Sequence, residues 1–509
     1  MDHDVIIVGC GPVGALAANL LGRDGLNVLV LERETGLYPL PRAVHVDHEM
    51  LRLCQSAGVI DRVLPDMRQA DGHLHVGADH GVIRYMGTVG KPRPFGWAND
   101  YFFYQPELER HLRDGFADLR NVRLETGAAF CAVTQDGGSA AVVYMQDGRE
   151  HSATARWVIA ADGSSSAVRK ALGIRLDDLD FEEPWLVVDA EVEGDVAFPD
   201  LTGVPGEADL QHLSVMMCDP QRPATVVPGR GNHRRWEFML LPGEDDTAMM
   251  ADTAVAELLR PYLADVDHTV VRAATYRFHG LVAEHWQRGR VFLAGDAAHQ
   301  TPPFFGQGMC HGFRDVANLA WKMAAVADGA DPAILDSYQR ERDPHVRAVI
   351  GAAVAAGRYI CMLDVEEARR RDAEMRARPG FGQSQTAAEL VPAIAGGLVL
   401  TSSAAAGVRF IQPRLADGTM LDDATGGGWR LFVRGGAIPG SAAGVTRVDA
   451  NEIDDKGAVT GWLDEHNVDA VLVRPDHYVF GTARGSAAAL LAARSDALHR
   501  PGFFQREAA

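Results

Sequence analysis

Gly9, Gly11 and Gly14 stand in GxGxxG spacing directly after an apolar run at residues 5–8, and Glu32 closes the next apolar run at 27–31, with Arg33 beside it. This set suits a dinucleotide. Glycines let the backbone turn tightly and approach a pyrophosphate, free amides at the helix start, where Pro12 and Val13 stand, face the phosphates, and the acid accepts a ribose hydroxyl. Two later junctions repeat the pattern of apolar run, acid and glycine. Residues 157–161 lead into Asp162-Gly163, and residues 290–294 lead into Gly295-Asp296 and then Pro302-Pro303-Phe304-Phe305-Gly306-Gln307-Gly308. Asp296 at a strand end can accept a sugar hydroxyl, and amides at the start of the next helix, from Met309, can stabilise negative charge on a bound ring. Arg42 follows the second strand closely enough for its guanidinium to reach the pyrophosphate, or else it is a surface arginine. Each junction taken alone also reads as a capped turn.

The elements that must place these residues follow from periodicity. Residues 5–32 read as strand, helix, strand. An amphipathic helix is expected over 44–57, an antiparallel excursion over 70–100, and a helix opened by Gln105-Pro106. Residues 122–161 alternate as strands, with turns at 136–138 and 147–148. Strands at 185–192, 212–217 and 235–241 predict a mainly antiparallel sheet set into an α/β framework, a plausible substrate wall. A helix at 251–263, a strand at 269–277, a helix to about 328 and helical residues 332–378 complete this part. Residues 379–407, rich in Gly, Ala and Ser, resemble a linker. Beyond it, strands at 430–434, 445–448 and 469–473 and helices at 458–466 and 486–498 predict a small βαβ-type unit.

The chain of 509 residues is long enough for two or three domains. Hydrophobic residues at 47% and charged residues at 23% are ordinary for a globular protein. Its 49 Lys+Arg against 69 Asp+Glu give a net charge of -20, which disfavours nucleic acid and anionic membrane as partners. The 6 cysteines are scattered without a CxxC pair, so neither a disulfide framework nor a zinc knuckle is expected and a reducing cytoplasm fits. No apolar run reaches transmembrane length and no signal peptide is read.

Together the three junctions resemble the FAD-dependent aromatic hydroxylases, the single-component flavoprotein monooxygenases. PRAVHVDHEMLR, FYQPELE, CDPQRP, RRWEFMLLPGE, GQGMCHGFRDVANLAWK and VRPDHYV extend the likeness over nearly the whole chain, toward the branch acting on 3-hydroxyphenylpropionate-like acids. The resemblance implies a Rossmann-type FAD-binding framework at 1–180 and 270–378, a substrate-binding sheet region at 70–100 and 181–269, a linker at 379–407 and a thioredoxin-like domain at 408–509. That last unit holds no cysteine, so no redox role is expected of it. By the same resemblance Glu32 binds the adenosine ribose, Arg42 and Gln105 contact the FAD phosphates and linker, and Asp296 binds the ribityl chain. Pro303 and the backbone from Gly306 through Gly308 to Met309 border the isoalloxazine, and Asp162 belongs to a motif tied to FAD and nicotinamide binding. The implied reaction uses NADH or NADPH and O2, and passes a hydroperoxide oxygen from flavin C4a to a phenolic ring.

The sequence departs from the commoner pattern at Cys310-His311, where many relatives have Asn followed by Ser or Thr. A covalent flavin link there is an alternative to a plain helix-start residue. His299, Cys310 and His311 match no standard zinc spacing, so no metal is expected. Tyr104, His212, Met216, Trp236 and Phe304 are pocket candidates by location, each with a core or sheet role as its alternative, and no base for the phenol is assigned. A homodimer is left open. None of the 8 tryptophans forms the WxWxxP motif of halogenases on this scaffold. A polyketide-tailoring hydroxylase and a non-catalytic flavin-binding protein remain the competing readings.

Overall fold

The computed structural model describes residues 1–263, 265–379, 381, 390–435, 443–453 and 455–500, so parts of the expected linker and C-terminal domain lie outside the described residues. The first sheet is built on buried parallel strands. His3–Val8 lies between Val28–Glu32 and Arg149–Ala160, with Ile7 opposite Val30 on one side and Ile159 on the other. Val122–Thr126 and Val291–Leu293 extend it in parallel, while Ala140–Gln146 and Ala129–Gln135 fold back antiparallel. Near-continuous apolar strands are what a sheet covered on both faces requires. The helices Pro12–Arg23 and Gly308–Ala327 pack against each other over it.

The second sheet is mainly antiparallel and runs His299–Gln300, His268–Ala283, Leu176–Val192, His233–Met239, Ala224–Val227, Ser214–Met217, Gly72–Val76, Val82–Gly87. Its two faces differ in character because side chains alternate along each strand. Leu74, Val76, Leu186, Val188, Val215, Met217, Val226, Trp236 and Phe238 form one apolar core with Val255, Leu259 and Tyr262 of the helix Asp252–Leu263. The opposite face carries His73, His75, Met216, Thr225 and Glu237 and turns toward the first sheet's framework.

The C-terminal unit has strand order Val445–Asp449, Trp429–Val433, Ala470–Val473, Val479–Ala483, with the first pair parallel and the others antiparallel. This is a thioredoxin-like sheet. It is seated on the framework by buried ions: Arg52 grips Asp422 at 2.6 and 2.9 Å, Glu341 receives Lys322 at 3.0 Å and Arg474 at 2.7 Å, and the Tyr478 hydroxyl donates to Glu49 at 2.9 Å. Residues 398–407 join the same seam, with the Leu400 amide donating to the Phe480 carbonyl and the Gly407 amide to that of Val479.

Three expectations differ in detail. Residues 44–57 are a strand, His45–Asp47, followed by a helix, His48–Ser56, because His45–Asp47 pairs with Asp100–Phe102 and the Asp47 carboxylate then caps the helix by accepting from the Glu49 amide at 3.0 Å. Ala224–Val227 is an additional strand. The helical stretch 332–378 is interrupted at 361–364, where Asp364 caps the helix Val365–Ala377. Among the described residues, no helix is long and apolar enough to cross a membrane.

Candidate active site

The glycine turn closes only without side chains. Gly9 has φ +98° and lies against the Ala161 carbonyl, and a Cβ on Gly14 would overlap the Gly9 carbonyl oxygen. At Gly11 and Gly308 the reverse holds, since a Cβ there meets nothing within 4 Å. Both glycines stand at helix starts without a side-chain cap, so backbone amides open onto free space at two places. Val13 links them, packing on Gly295 and Gly312.

Around this recess the predicted residues converge. Glu32 is buried at its strand end, where its carboxylate accepts from the Cys10 amide at 2.7 Å and the Glu34 amide at 2.9 Å. Gln105 accepts from the Arg42 and Ala43 amides at 3.0 and 2.7 Å and donates to Glu109, fixing the turn that carries Arg42. The Arg42 guanidinium stacks on Tyr38 at 4.4 Å and has no carboxylate partner among the described residues. Asp162 accepts from the Val168 amide through one oxygen, and its other oxygen is buried without a partner. Arg169 ties that junction to the next by donating to the Ala297 carbonyl at 3.0 Å and the Ser164 carbonyl at 2.9 Å. Asp296 stands at the recess with its side chain reaching solvent, and the protein atoms crowded around it raise its carboxyl against the opposing influence of His299 and Arg42. Arg33 instead points outward and pairs with Glu34 on the surface. Open amides, an unpaired guanidinium and an unpaired buried carboxylate oxygen are the groups a dinucleotide with two phosphates and a ribityl chain would satisfy, so the residues fit FAD.

The Pro303–Phe305 turn and Gly306 bridge the two sheets. Phe304 packs edge-on against Trp185, Phe278 and Phe181, Phe305 lies under the Arg84 guanidinium at 5.6 Å, and a Cβ on Gly306 would come 2.5 Å from Nδ1 of His45. Two ionic networks hold this turn from behind. Arg314 donates to Asp47 at 2.5 Å, Glu49 at 2.7 Å and Gln307 at 3.0 Å, and burial's upward pull on the Asp47 carboxyl is overcome by Arg314, leaving it well below the usual range. Asp315 accepts from the Gly295 amide, from Arg342 at 2.9 Å, and shares a 2.6 Å hydrogen bond with His299.

Beneath the turn lies the polar face of the second sheet. Cross-strand register places Glu237, Thr225, Met216, His75 and Arg84 in one row, with His73 two residues from His75 and therefore on the same face. His45 bonds Asp100 at 2.9 Å and stands edge-on to His73. Both ring nitrogens of His73, Nε2 of His75 and one oxygen of Asp100 are buried without partners. Burial and the nearby Arg84 keep His75 neutral, and burial with His45 lowers His73 to about 4. Desolvation raises Glu237 to about 7, with Arg235 opposing and Asp189 assisting. His45, His73 and Asp100 lie close enough to hold a cation, but the His45–Asp100 hydrogen bond already joins two of the three.

Of the pocket candidates, Met216 lies in this row and Phe304 above it. Trp236 points into the opposite, apolar core, His212 is in a loop 3.7 Å from Asp71, and Tyr104 lies against Pro39 and His233. His45, His73, His75, Arg84, Asp100 and Glu237 were not singled out by sequence reasoning. The signal available was the alternation His73-Leu74-His75, which puts two histidines on one strand face. Cys310 is fully buried, with its thiol pushed up by desolvation, and contacts the Gly306 carbonyl. A thiol so held is not a thiolate nucleophile. Acid precipitation of the yellow protein is therefore expected to leave all the flavin in the supernatant, and colour in the pellet would show a covalent link.

Residues 2–353 match the FAD binding domain family and residues 439–498 match the HcaD C-terminal domain. The chain is 35% identical over 508 residues to a probable NADH-specific resorcinol 4-hydroxylase of Rhodococcus jostii, covering 95% of this chain and 92% of that protein. It is also 35% identical over 521 residues to a 3-(3-hydroxy-phenyl)propionate/3-hydroxycinnamic acid hydroxylase of Burkholderia cenocepacia, covering 93% of each. Among solved structures, aklavinone-11 hydroxylase with FAD and aklavinone superposes with TM-score 0.78 at 23% identity, over 97% of this chain and 99% of that one. The flavin-dependent monooxygenase PieE with FAD and substrate gives 0.80 at 24%, over 98% and 100%. These two show the shared fold. With a glycine turn, an Asp162 junction and a Gly295–Gly308 junction converging on one recess, and with full-length relatives of this kind, the chain belongs to the FAD-dependent aromatic hydroxylases.

Proposed function

We propose that this protein hydroxylates a small phenol with NADH and O2, the ring lying on the Glu237–Arg84 row beneath the Phe304–Gly306 turn. The observation that carries this reading is the row itself, a buried polar floor with unpaired acceptors directly under the turn that borders the flavin site. Bound FAD would supply the oxygen-transfer chemistry, which no side chain here can. The protein's part is to bind and orient. Arg42 and the open amides at Gly11 hold the phosphates, and the amides after Gly308 favour negative charge on the ring. Phe304, Trp185 and Phe278 keep water away from the reacting face. Glu237, titrating near neutrality, holds the phenolic proton, since a phenolate ring is the better nucleophile. The six free cysteines suit a reducing cytoplasm.

Glu237 makes this reading pH-dependent in two opposite senses. Activity requires the carboxylate, so kcat/KM should rise through about pH 7 in the wild type and lose that limb in E237Q. Stability runs the other way: a carboxyl raised above its unfolded value stabilises at low pH, and the contribution disappears as pH climbs through about 7. E237Q should therefore be more stable than wild type at pH 8 and no more stable at pH 4. The reaction itself is tested by NADH consumption with a panel of phenols. Stimulation together with a product heavier by one oxygen supports hydroxylation; no stimulation by any phenol contradicts it.

A further inference from the structure

The C-terminal unit holds no cysteine, yet two of its residues reach into the network behind the flavin turn. Tyr478, in the VRPDHYV stretch, donates its hydroxyl to Oε1 of Glu49 at 2.9 Å, and Nη1 of Arg409 lies 3.3 Å from Oε2 of the same carboxylate. Tyr478 and Arg409 are fixed side by side by an antiparallel bridge, and the Arg409 guanidinium also rests 5.4 Å from the centre of the Phe95 ring. From Glu49 the network runs forward. Nε of Arg314 donates to Oε2 of Glu49 at 2.7 Å, and Nη1 of Arg314 donates to Oε1 of Gln307 at 3.0 Å. Gln307 stands between Gly306 and the helix Gly308–Ala327, where the turn meets the open amides. Three hydrogen bonds in series thus join a C-terminal hydroxyl to the cofactor turn, and Tyr478, Glu49, Arg314 and Gln307 are all buried.

What the series transmits is the placing of one carboxylate. Burial alone would raise the Glu49 carboxyl, and Arg314 together with Arg409 overcomes this, so the group stays an anion. The Tyr478 hydroxyl meets its Oε1, while both guanidinium groups meet its Oε2. Without the hydroxyl a buried anionic oxygen loses a donor, and the carboxylate turns toward the guanidinium groups, drawing Arg314 away from Gln307. We propose that Tyr478 is a positioning residue for the cofactor turn, and that the C-terminal unit acts as a clamp setting Gln307 and the Gly308 amides against the flavin ring. A thioredoxin-like sheet thereby serves the flavin without any thiol chemistry. This rests on the FAD recess and not on the phenol reading, so it holds for any aromatic substrate.

The test compares two single-hydroxyl deletions at the same seam in the full-length protein. Y478F removes the hydroxyl that leads to Gln307. S56A removes one that bonds Nε2 of His477 at 2.9 Å and otherwise donates to the Arg52 carbonyl. Each flavin-free chain is titrated with FAD, the fluorescence anisotropy of the bound flavin is recorded, and melting temperature verifies folding. Y478F is expected to weaken FAD binding about tenfold, the size of one hydrogen bond to a charged group, and to lower the anisotropy. S56A should stay within about twofold of wild type and leave the anisotropy unchanged. In the Q307M background, where the series is already cut, Y478F should add less than about twofold. R409M removes the other C-terminal group on Glu49 and should also weaken FAD binding, and it decides the matter if Y478F does not fold. Wild-type affinity and anisotropy in folded Y478F, or in folded R409M where Y478F does not fold, overturn the clamp. An equal loss in S56A overturns it too, as a general loosening of the seam, and so does an undiminished loss on adding Y478F to Q307M.

Discussion

Arg314→Met is expected to destabilise the folded protein by about 3–5 kcal/mol and to release its flavin, because it strands two buried carboxylates at once. Asp47 is fully buried and Glu49 nearly so, and Arg314 is the guanidinium that both of them bond. Arg409, 3.3 Å from Glu49, would remain for that acid, while Asp47 would keep only the longer-range influence of Arg409 and neutral donors from Gln307 and the Glu49 amide. Gln307 loses its bond to Arg314 as well, so the turn in front of the ring site loosens. Denaturant unfolding of wild type and variant at pH 7 measures the cost. The Asp47 carboxyl is held below its unfolded value, so the stabilisation is present above that value, near pH 4, and is lost as pH falls further. A stability difference under about 1 kcal/mol would show that the network is not what holds the turn.

Gly14→Ala is expected to abolish FAD retention. The added methyl would overlap the Gly9 carbonyl oxygen and lie 3.3 Å from a methyl of Ile7, so either the glycine turn or the first helix must move. A shift of that kind withdraws the helix-start amides from the phosphates. The purified variant should be colourless, with FAD affinity weakened about 100-fold or more, some 3 kcal/mol. Flavin released per chain, set against wild type prepared in parallel, decides it. A near-stoichiometric flavin content in Gly14→Ala would mean that the turn does not cradle the pyrophosphate.

The cofactor end of the molecule was legible because its rules are local. A glycine turn after an apolar strand, an acid at a strand end and a proline before a helix each declare themselves within a few residues. The substrate end was not, because it depends on register between distant strands. Trp236 and Glu237 are neighbours in sequence, yet alternation sends the tryptophan into the apolar core and the glutamate onto the recess. Sequence proximity to a strand could not choose between them. Arg84 has the same difficulty, since only pairing with His75 and contact with Phe305 distinguish it from a solvated edge cation. At residues 44–57 the helical pattern was real, and long-range pairing with Asp100–Phe102 drew its first residues into a strand. The buried ions joining Arg52 to Asp422 and Arg474 to Glu341 span hundreds of residues or more than a hundred, beyond any local signal.

The most direct measurement is isotopic. Turnover of a phenolic substrate with NADH under 18O2 in ordinary water should give a hydroxylated product carrying one 18O atom from the gas. The label should appear only when the protein holds FAD and NADH is consumed. Product oxygen drawn from water, or NADH oxidation that yields only hydrogen peroxide with every phenol tried, would contradict the assignment of this chain's recess as the site of aromatic hydroxylation.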